Sequence, residues 1–284
     1  MRAWRGLSRF EGRSSHRTWL YTIATNVCLR TVERRKQRVL PLGTLPPAEL
    51  GEPPGRPLSE SVWLQPCPDE LLDLDVETAP EARFDRRESV ELAFVAALQH
   101  LPPLQRAVLI LRDVLGFSAR EASSALETTE AAANSALQRA RRTLDERRPA
   151  HSQQSVLRAL GDDGVTAIVQ RYAQAMEDAD VDRVVAMLVE DAAWAMPPLA
   201  TWYRGLTAIR RFLEEYPLTL RWQHRPTQVN GQPAVLCYRL RPETGMFEAE
   251  ALDVLTLDGD RIAEVTAFLD PAVHATLGLP LQLR

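Results

Sequence analysis

Asn134, Ser135, Gln138, Arg141 and Arg142 fall on one side of a helical segment whose other side is Ala133, Leu137, Ala140 and Leu144. Amide, hydroxyl and guanidinium groups at that spacing suit base edges and phosphates in a major groove. An ordinary solvated helix face has the same composition, so this segment alone leaves both readings open. A second collection, Thr18, Trp19, Thr22, Asn26 and Arg30, shares a face of residues 14–38. Short polar groups beside aromatic surface are what an unstacked base needs, although Trp19 and Tyr21 also suit plain packing. The run Arg34, Arg35, Lys36 and Arg38 suits phosphates, or a solvated helix end favoured by the C-terminal dipole. Cys28, Cys67 and Cys237 are far apart, with no metal-ligand spacing, and read as buried free thiols. No metal and no cofactor is expected.

The elements that position these groups can be read from the pattern. Residues 14–38 lack glycine and proline and predict one helix with a core stripe at Leu20, Ile23, Ala24, Val27 and Thr31. Residues 39–84 are rich in proline and glycine, then acidic, and predict a linker with one short docked segment at Val62, Trp63 and Leu64. From Glu88 to about Arg148 the pattern predicts four helices broken near Leu101-Pro102-Pro103, Gly116 and Thr128-Thr129. Ser118 and Glu121 form a capping-box start, and Thr128 suits the next cap, so the last two helices read as a helix-turn-helix. After a linker at 151–163, two amphipathic helices precede strands at 218–225 and 234–240 around Asn230-Gly231. Further strands at 247–257 and 261–268 flank Asp258-Gly259-Asp260. The last domain is therefore α+β, with a curved antiparallel sheet.

The chain has 284 residues, enough for two domains or more. Its 45% hydrophobic and 25% charged residues are those of a soluble globular protein, with no apolar run near the ~20 residues of a membrane span and no secretory signal, so a cytoplasmic location is expected. The net charge is −4, yet residues 1–40 hold ten basic and two acidic side chains. Polyanion binding is expected at that end only.

The string RAWRGLSRFEGRSSHRTWLYTIATNVCL resembles the end of region 2 of extracytoplasmic-function sigma factors, and LPPLQRAVLILRDVLGFSAREASSALETTEAAANSALQRARRTL resembles their region 4. Domain order, the NSALQRAR helix and the WYRG and GLP segments look most like the sigma-G type. The resemblance implies a cytoplasmic RNA polymerase sigma factor whose partners are core polymerase and promoter DNA. It implies that Asn134, Ser135, Gln138, Arg139 and Arg142 contact the minus-thirty-five element, and Arg17, Trp19, Asn26, Arg30, Arg34 and Arg35 the minus-ten element. The match begins inside the last helix of region 2. The native chain is expected to start upstream with the polymerase-binding helices, or else to lack most of that surface.

Residues 164–284 resemble the SnoaL and ketosteroid isomerase superfamily, through VQRYAQAMEDADVDRVVAMLVEDAAW and ALDVLTLDGDRIAEVTAFLD. The implied fold class is multidomain: an all-α region 2 fragment at 1–38, a linker at 39–84, a region 4 helix-turn-helix at 85–150, a linker at 151–163, and an α+β cone at 164–284. Tyr172 and Asp253 fall where the isomerases keep their oxyanion-stabilising tyrosine and protonated aspartate, whereas Met196 stands in place of the aspartate base. A thioether cannot take a proton from carbon. A non-catalytic regulatory domain is therefore expected, with no catalytic residue and a pocket for a small apolar ligand at Tyr172, Trp194, Met196 and Asp253, walled further by Tyr203, Phe212, Trp222 and Phe268. A filled core is the bland reading of the same residues. Asp270 and His274 are the nearest replacements for the base, expected at the domain edge. The alternative is a SnoaL-type isomerase or cyclase fused to a DNA-binding module.

Overall fold

The computed structural model describes residues 16, 19–21, 23–24, 40, 42, 45–57, 63–72, 95, 98, 101–114, 116–145 and 152–283. They belong to two compact units, one formed by Met1–Gln37 with Ala96–Arg148, the other by Arg38–Val95 with Pro149–Arg284. No helix among the described residues is long and apolar enough to cross a membrane.

In the first unit, His16, Trp19, Leu20, Tyr21, Ile23 and Ala24 are helical. Of the expected core stripe, Leu20 is 48% exposed and Ala24 is exposed while Ile23 is half-buried, and Val27 and Thr31 lie outside the described residues. Tyr21 takes the packed side instead, its ring edge-on to Phe117 with centroids 5.4 Å apart. One residue is 100° of helical rotation, enough to exchange a buried position for an exposed one.

Helix α1 (Pro103–Leu109) starts with the proline that pre-sets its first turn, then relaxes into a π-turn over Ile110–Val114 before Gly116 at φ 68°. Helix α2 (Ala119–Ala125) and helix α3 (Glu130–Asp145) follow. Their buried residues are largely small, Ala122 and Ala125 on α2 and Ala133, Ala136, Leu137 and Ala140 on α3, and Val108, Leu109 and Leu111 are buried with them.

In the second unit, helix α4 (Gln153–Glu177) is bent at Gly161, whose φ of 69° breaks the helical run. The stretch 151–163, expected to be a linker, is therefore helical from Gln153. Two buried amides hold it down: Gln153 Oε1 accepts from Leu257 N–H at 2.7 Å, and Gln154 Nε2 donates to Gly231 O at 2.8 Å. Helix α5 (Val181–Ala186), strand β1 (Leu188–Ala195), strand β2 (Trp202–Arg204) and helix α6 (Leu206–Glu215) precede β3 (Trp222–Val229), β4 (Gln232–Arg241), β5 (Met246–Asp258) and β6 (Arg261–Phe268). A short helix α7 (Ala272–Thr276) and strand β7 (Gln282–Leu283) end it.

The sheet order is β2-β1-β6-β5-β4-β3, with β7 on β5. It is mixed rather than wholly antiparallel, because β1 runs parallel to β6. Asn230 and Gly231 turn β3 into β4 at φ 54° and 65°, the conformation a two-residue hairpin needs. Strand β3 begins at Trp222 rather than 218, since Pro217–Thr219 forms a 3-10 turn.

The proline-rich stretch within 39–84 is docked over much of its described length, beyond the one expected contact. Ala48 N–H donates to Trp202 O, Trp202 Nε1 to Leu45 O, Tyr203 Oη to Glu52 O and Gly55 N–H to Thr201 Oγ1, all at 2.8–2.9 Å. Trp63 is buried and donates to Pro198 O at 2.9 Å. Cys67 and Asn230 exchange two bonds, at 2.8 and 3.1 Å. Within the segment Glu49 and Glu52 bond each other, Glu52 N–H donating to Glu49 O and Glu49 N–H to Glu52 Oε2, both at 3.0 Å, and the C-terminal domain supplies the partners named above.

Candidate functional site

Helix α3 is set by its two neighbouring turns. The Ser118 hydroxyl accepts from Glu121 N–H at 3.2 Å while Glu121 Oε2 accepts from Ser118 N–H at 2.9 Å, so the capping box closes in both directions. At the other end of α2, Thr128 N–H donates to Ser123 O at 3.0 Å and Glu127 N–H to Ser124 O at 3.3 Å, with Glu127 at φ 51°. This is a Schellman turn with glutamate where glycine is usual. Thr129, not Thr128, caps α3, its Oγ1 accepting from Ala132 N–H at 3.1 Å.

With α3 fixed, Asn134, Gln138 and Arg142 are exposed at i, i+4 and i+8, a stripe about 12 Å long. Arg139 lies beside it, exposed and bonded to Ser135 Oγ at 2.6 Å. Arg141, grouped with these residues by spacing, turns aside: Nε and Nη2 donate to both carboxylate oxygens of Asp113 at 3.0 and 2.7 Å. Of the region 2 candidates, Trp19 is half-buried. Arg17, Asn26, Arg30, Arg34 and Arg35 lie outside the described residues.

The C-terminal domain holds a cavity of about 60 Å³ between the helices and the concave sheet face, lined by Met176, Trp194, Met196, Phe212, Pro217, Trp222, His224, Cys237, Ala251, Asp253, Ala267 and Leu269. Trp194, Met196 and Asp253, three of the four residues expected at a pocket, line this cavity. Tyr172 stands behind Asp253 and donates its hydroxyl to Oδ2 at 2.7 Å. Tyr203 and Phe268 do not line the cavity. Tyr203 stacks on the far side of Phe212, centroids 4.7 Å apart. In β6, Ala267 faces the cavity and Phe268 the opposite sheet face, as alternation requires of neighbours.

Burial pushes the Asp253 carboxyl up to about 6, against the opposing pull of the hydrogen bond from Tyr172. The Tyr172 phenol and Cys237 thiol are raised well above their usual values, again chiefly by burial, so both stay protonated. His224 is a polar group that the sequence analysis missed. It is buried, burial pushes it down to about 4, and its Nδ1 has no hydrogen-bond partner. Its signal was present in the sequence, two residues after Trp222 on the same strand face. His274, expected at the domain edge, is fully buried on the other side of the sheet against Tyr238. No group of three or more His, Cys, Asp or Glu suited to a metal occurs among the described residues.

Comparison with known proteins agrees with both halves. Residues 1–38 match the sigma-70 region 2 family, residues 91–144 sigma-70 region 4, and residues 169–265 the SnoaL-like domain. The chain is 40% identical over 290 residues to the ECF RNA polymerase sigma factor SigG of Mycobacterium tuberculosis, covering 99% of this chain and 75% of that one. It is 21% identical over 198 residues to the probable ECF RNA polymerase sigma factor SigI of the same organism, covering 68% and 62%. The crystal structure of the extracytoplasmic-function sigma factor SigJ of M. tuberculosis superposes with a TM-score of 0.54 at 22% identity, over 98% of this chain and 88% of that one, and supports the fold. The chain belongs to the extracytoplasmic-function sigma factors of RNA polymerase, with a SnoaL-like domain following region 4.

Proposed function

We propose that this sigma factor acts in the cytoplasm, joins core RNA polymerase, and reads the minus-thirty-five element with Asn134, Ser135, Gln138, Arg139 and Arg142. The carrying observation is the α3 stripe of exposed polar side chains held by a closed helix-turn-helix. Asparagine and glutamine suit adenine edges and arginine suits guanine or phosphate. Arg17, Trp19, Asn26, Arg30, Arg34 and Arg35 are assigned to the minus-ten element on resemblance alone. Region boundaries at 1–38 and 85–150 belong to the same reading, with the SnoaL-like domain taken from Gln153, where α4 begins.

The SnoaL-like domain acts as a regulatory, non-catalytic module that takes a small, largely apolar ligand. Met196 supplies no base to the cavity, and about 60 Å³ is well below the 150 Å³ that accepts benzene, too little for a steroid or polyketide ring system. Run-off transcription with core polymerase tests the whole reading, comparing an N-terminally extended protein that carries the polymerase-binding helices with the same protein ending at His151. Promoter-specific transcripts that change in yield when the domain is removed are expected. Unaltered yield, together with isomerisation of a small ketone by the complete protein, would replace the regulatory domain by a fused enzyme.

A further inference from the structure

We propose that the cavity of the SnoaL-like domain is a binding site for a small methylated ammonium group, held between the Asp253 carboxylate and the rings of Trp194, Phe212 and Trp222. This deepens the ligand-binding reading above and rests on it.

Asp253 carries an unbalanced charge. It is 3% exposed and faces the cavity, where its hydrogen-bond partner is a neutral donor, the Tyr172 hydroxyl at 2.7 Å, while the Cys237 thiol donates to Val235 O at 3.5 Å. No arginine or histidine is paired with it among the described residues. A buried carboxylate without a counter-ion leaves a negative potential in its surroundings, and low polarity around it preserves that potential.

The surroundings suit a cation with a greasy surface. Trp194, Phe212 and Trp222 present aromatic rings to the same space, and ring faces attract cations. Met176, Met196, Ala251 and Ala267 supply apolar contact for N-methyl groups. A hydrated metal ion finds no such complement, since a single carboxylate among thioethers and rings offers too few oxygen ligands.

The far end of the cavity adds to the same field. His224 pairs across β3 and β4 with Cys237, which pairs with Ala251 on β5, so His224 sits two strands over and two residues along from Asp253. That places the two Cα positions roughly 12 Å apart from strand spacing and rise. The His224 ring is neutral near pH 7 and repels no cation. Behind it Glu177 accepts from His224 N–H and lies 4.0 Å from Nδ1, a second carboxylate on that side. The titratable groups around the cavity with Asp253 are therefore Tyr172 from α4, Cys237 from β4 and His224 from β3, while β1, the loop after it, β6 and α6 present Trp194, Met196, Ala267 and Phe212. Size limits the ligand head group to about four heavy atoms.

The test is a tryptophan-fluorescence titration of the complete chain at constant ionic strength, with trimethylammonium chloride as probe and tert-butanol as its neutral counterpart. At pH 7.5 trimethylammonium is expected to bind saturably and about tenfold tighter than tert-butanol. Its affinity should fall as the pH drops below 6, where the carboxylate is lost, while that of tert-butanol stays flat. Asp253→Asn should remove the preference. Should that variant fail to fold, the wild-type pH profile decides. Equal affinities, or a flat profile for trimethylammonium, overturn the cation site and leave the apolar-ligand reading standing. Binding of neither probe overturns both.

Discussion

Arg141 grips Asp113 with two parallel hydrogen bonds, 3.0 and 2.7 Å, tying α3 to the π-turn that follows α1. A fork-to-fork pair fixes direction as well as distance. Both side chains are well exposed, so Arg141→Ala is expected to cost no more than about 1 kcal/mol in urea unfolding, with the loss shrinking at high salt. Base preference should be unchanged. A shift in preference at one base pair would place Arg141 on the DNA after all.

Asn134 is exposed and lies early on α3, where a recognition helix contacts base edges. Asn134→Ala should cost about 1–3 kcal/mol on the cognate promoter and relax discrimination at a single position. Binding to a panel of single-base promoter variants measures this. Equal weakening on every sequence would mark a backbone contact instead.

Glu127 adopts φ 51° at the end of α2, a conformation that costs most L-residues about 1–2 kcal/mol. Glu127→Gly should therefore leave region 4 as stable or raise its melting temperature. A clear fall would mean that the Glu127 side chain contributes more than its backbone strain takes away.

These turns were legible because their chemistry is local. Ser118 and Glu121 stand three apart and close a capping box, and Asn230-Gly231 makes a hairpin almost whatever surrounds it. What was not legible depends on partners distant in sequence. The face of Phe268 follows from β5–β6 pairing, which contains a register shift between Thr256 and Leu257. Leu20 and Tyr21 exchange roles because Phe117, nearly a hundred residues away, selects the packed side. Residues 45–57 have no periodicity to read, and their order comes from bonds to Trp202, Tyr203 and Thr201.

Trp63 joins the docked segment to the loop after β1, with a buried ring and a bond to Pro198 O. Trp63→Ala should destabilise the second unit by about 3–5 kcal/mol, as expected for loss of a large buried aromatic. Limited proteolysis should then cut within residues 45–57 well before the wild type is cut. Unchanged protection there would show that the other contacts hold the segment alone.

His274 gives the protein an acid-sensitive element. Its ring is fully buried, edge-on to Tyr238 at 5.1 Å, and neither nitrogen has a hydrogen-bond partner. Burial pushes its pKa down to about 4, so between about pH 4 and 6.5 the unfolded chain binds a proton there that the folded chain does not. Stability must therefore fall as the pH drops through that window, and His224, also near 4, acts in the same sense. Asp253 and Glu264 act oppositely, because burial raises them and the folded chain holds their protons longer. The His274 share is isolated by His274→Phe, which keeps ring packing and removes the titrating group. Between pH 4.5 and 6 the variant's stability should depend on pH less steeply than the wild type's, by about 1.4 kcal/mol per pH unit, the equivalent of one proton. At pH 7.5 it should be at least as stable, since an unpartnered buried N–H has been removed. Urea unfolding across that range measures both, and identical pH slopes would show that His274 finds a partner or leaves its site before it takes up a proton.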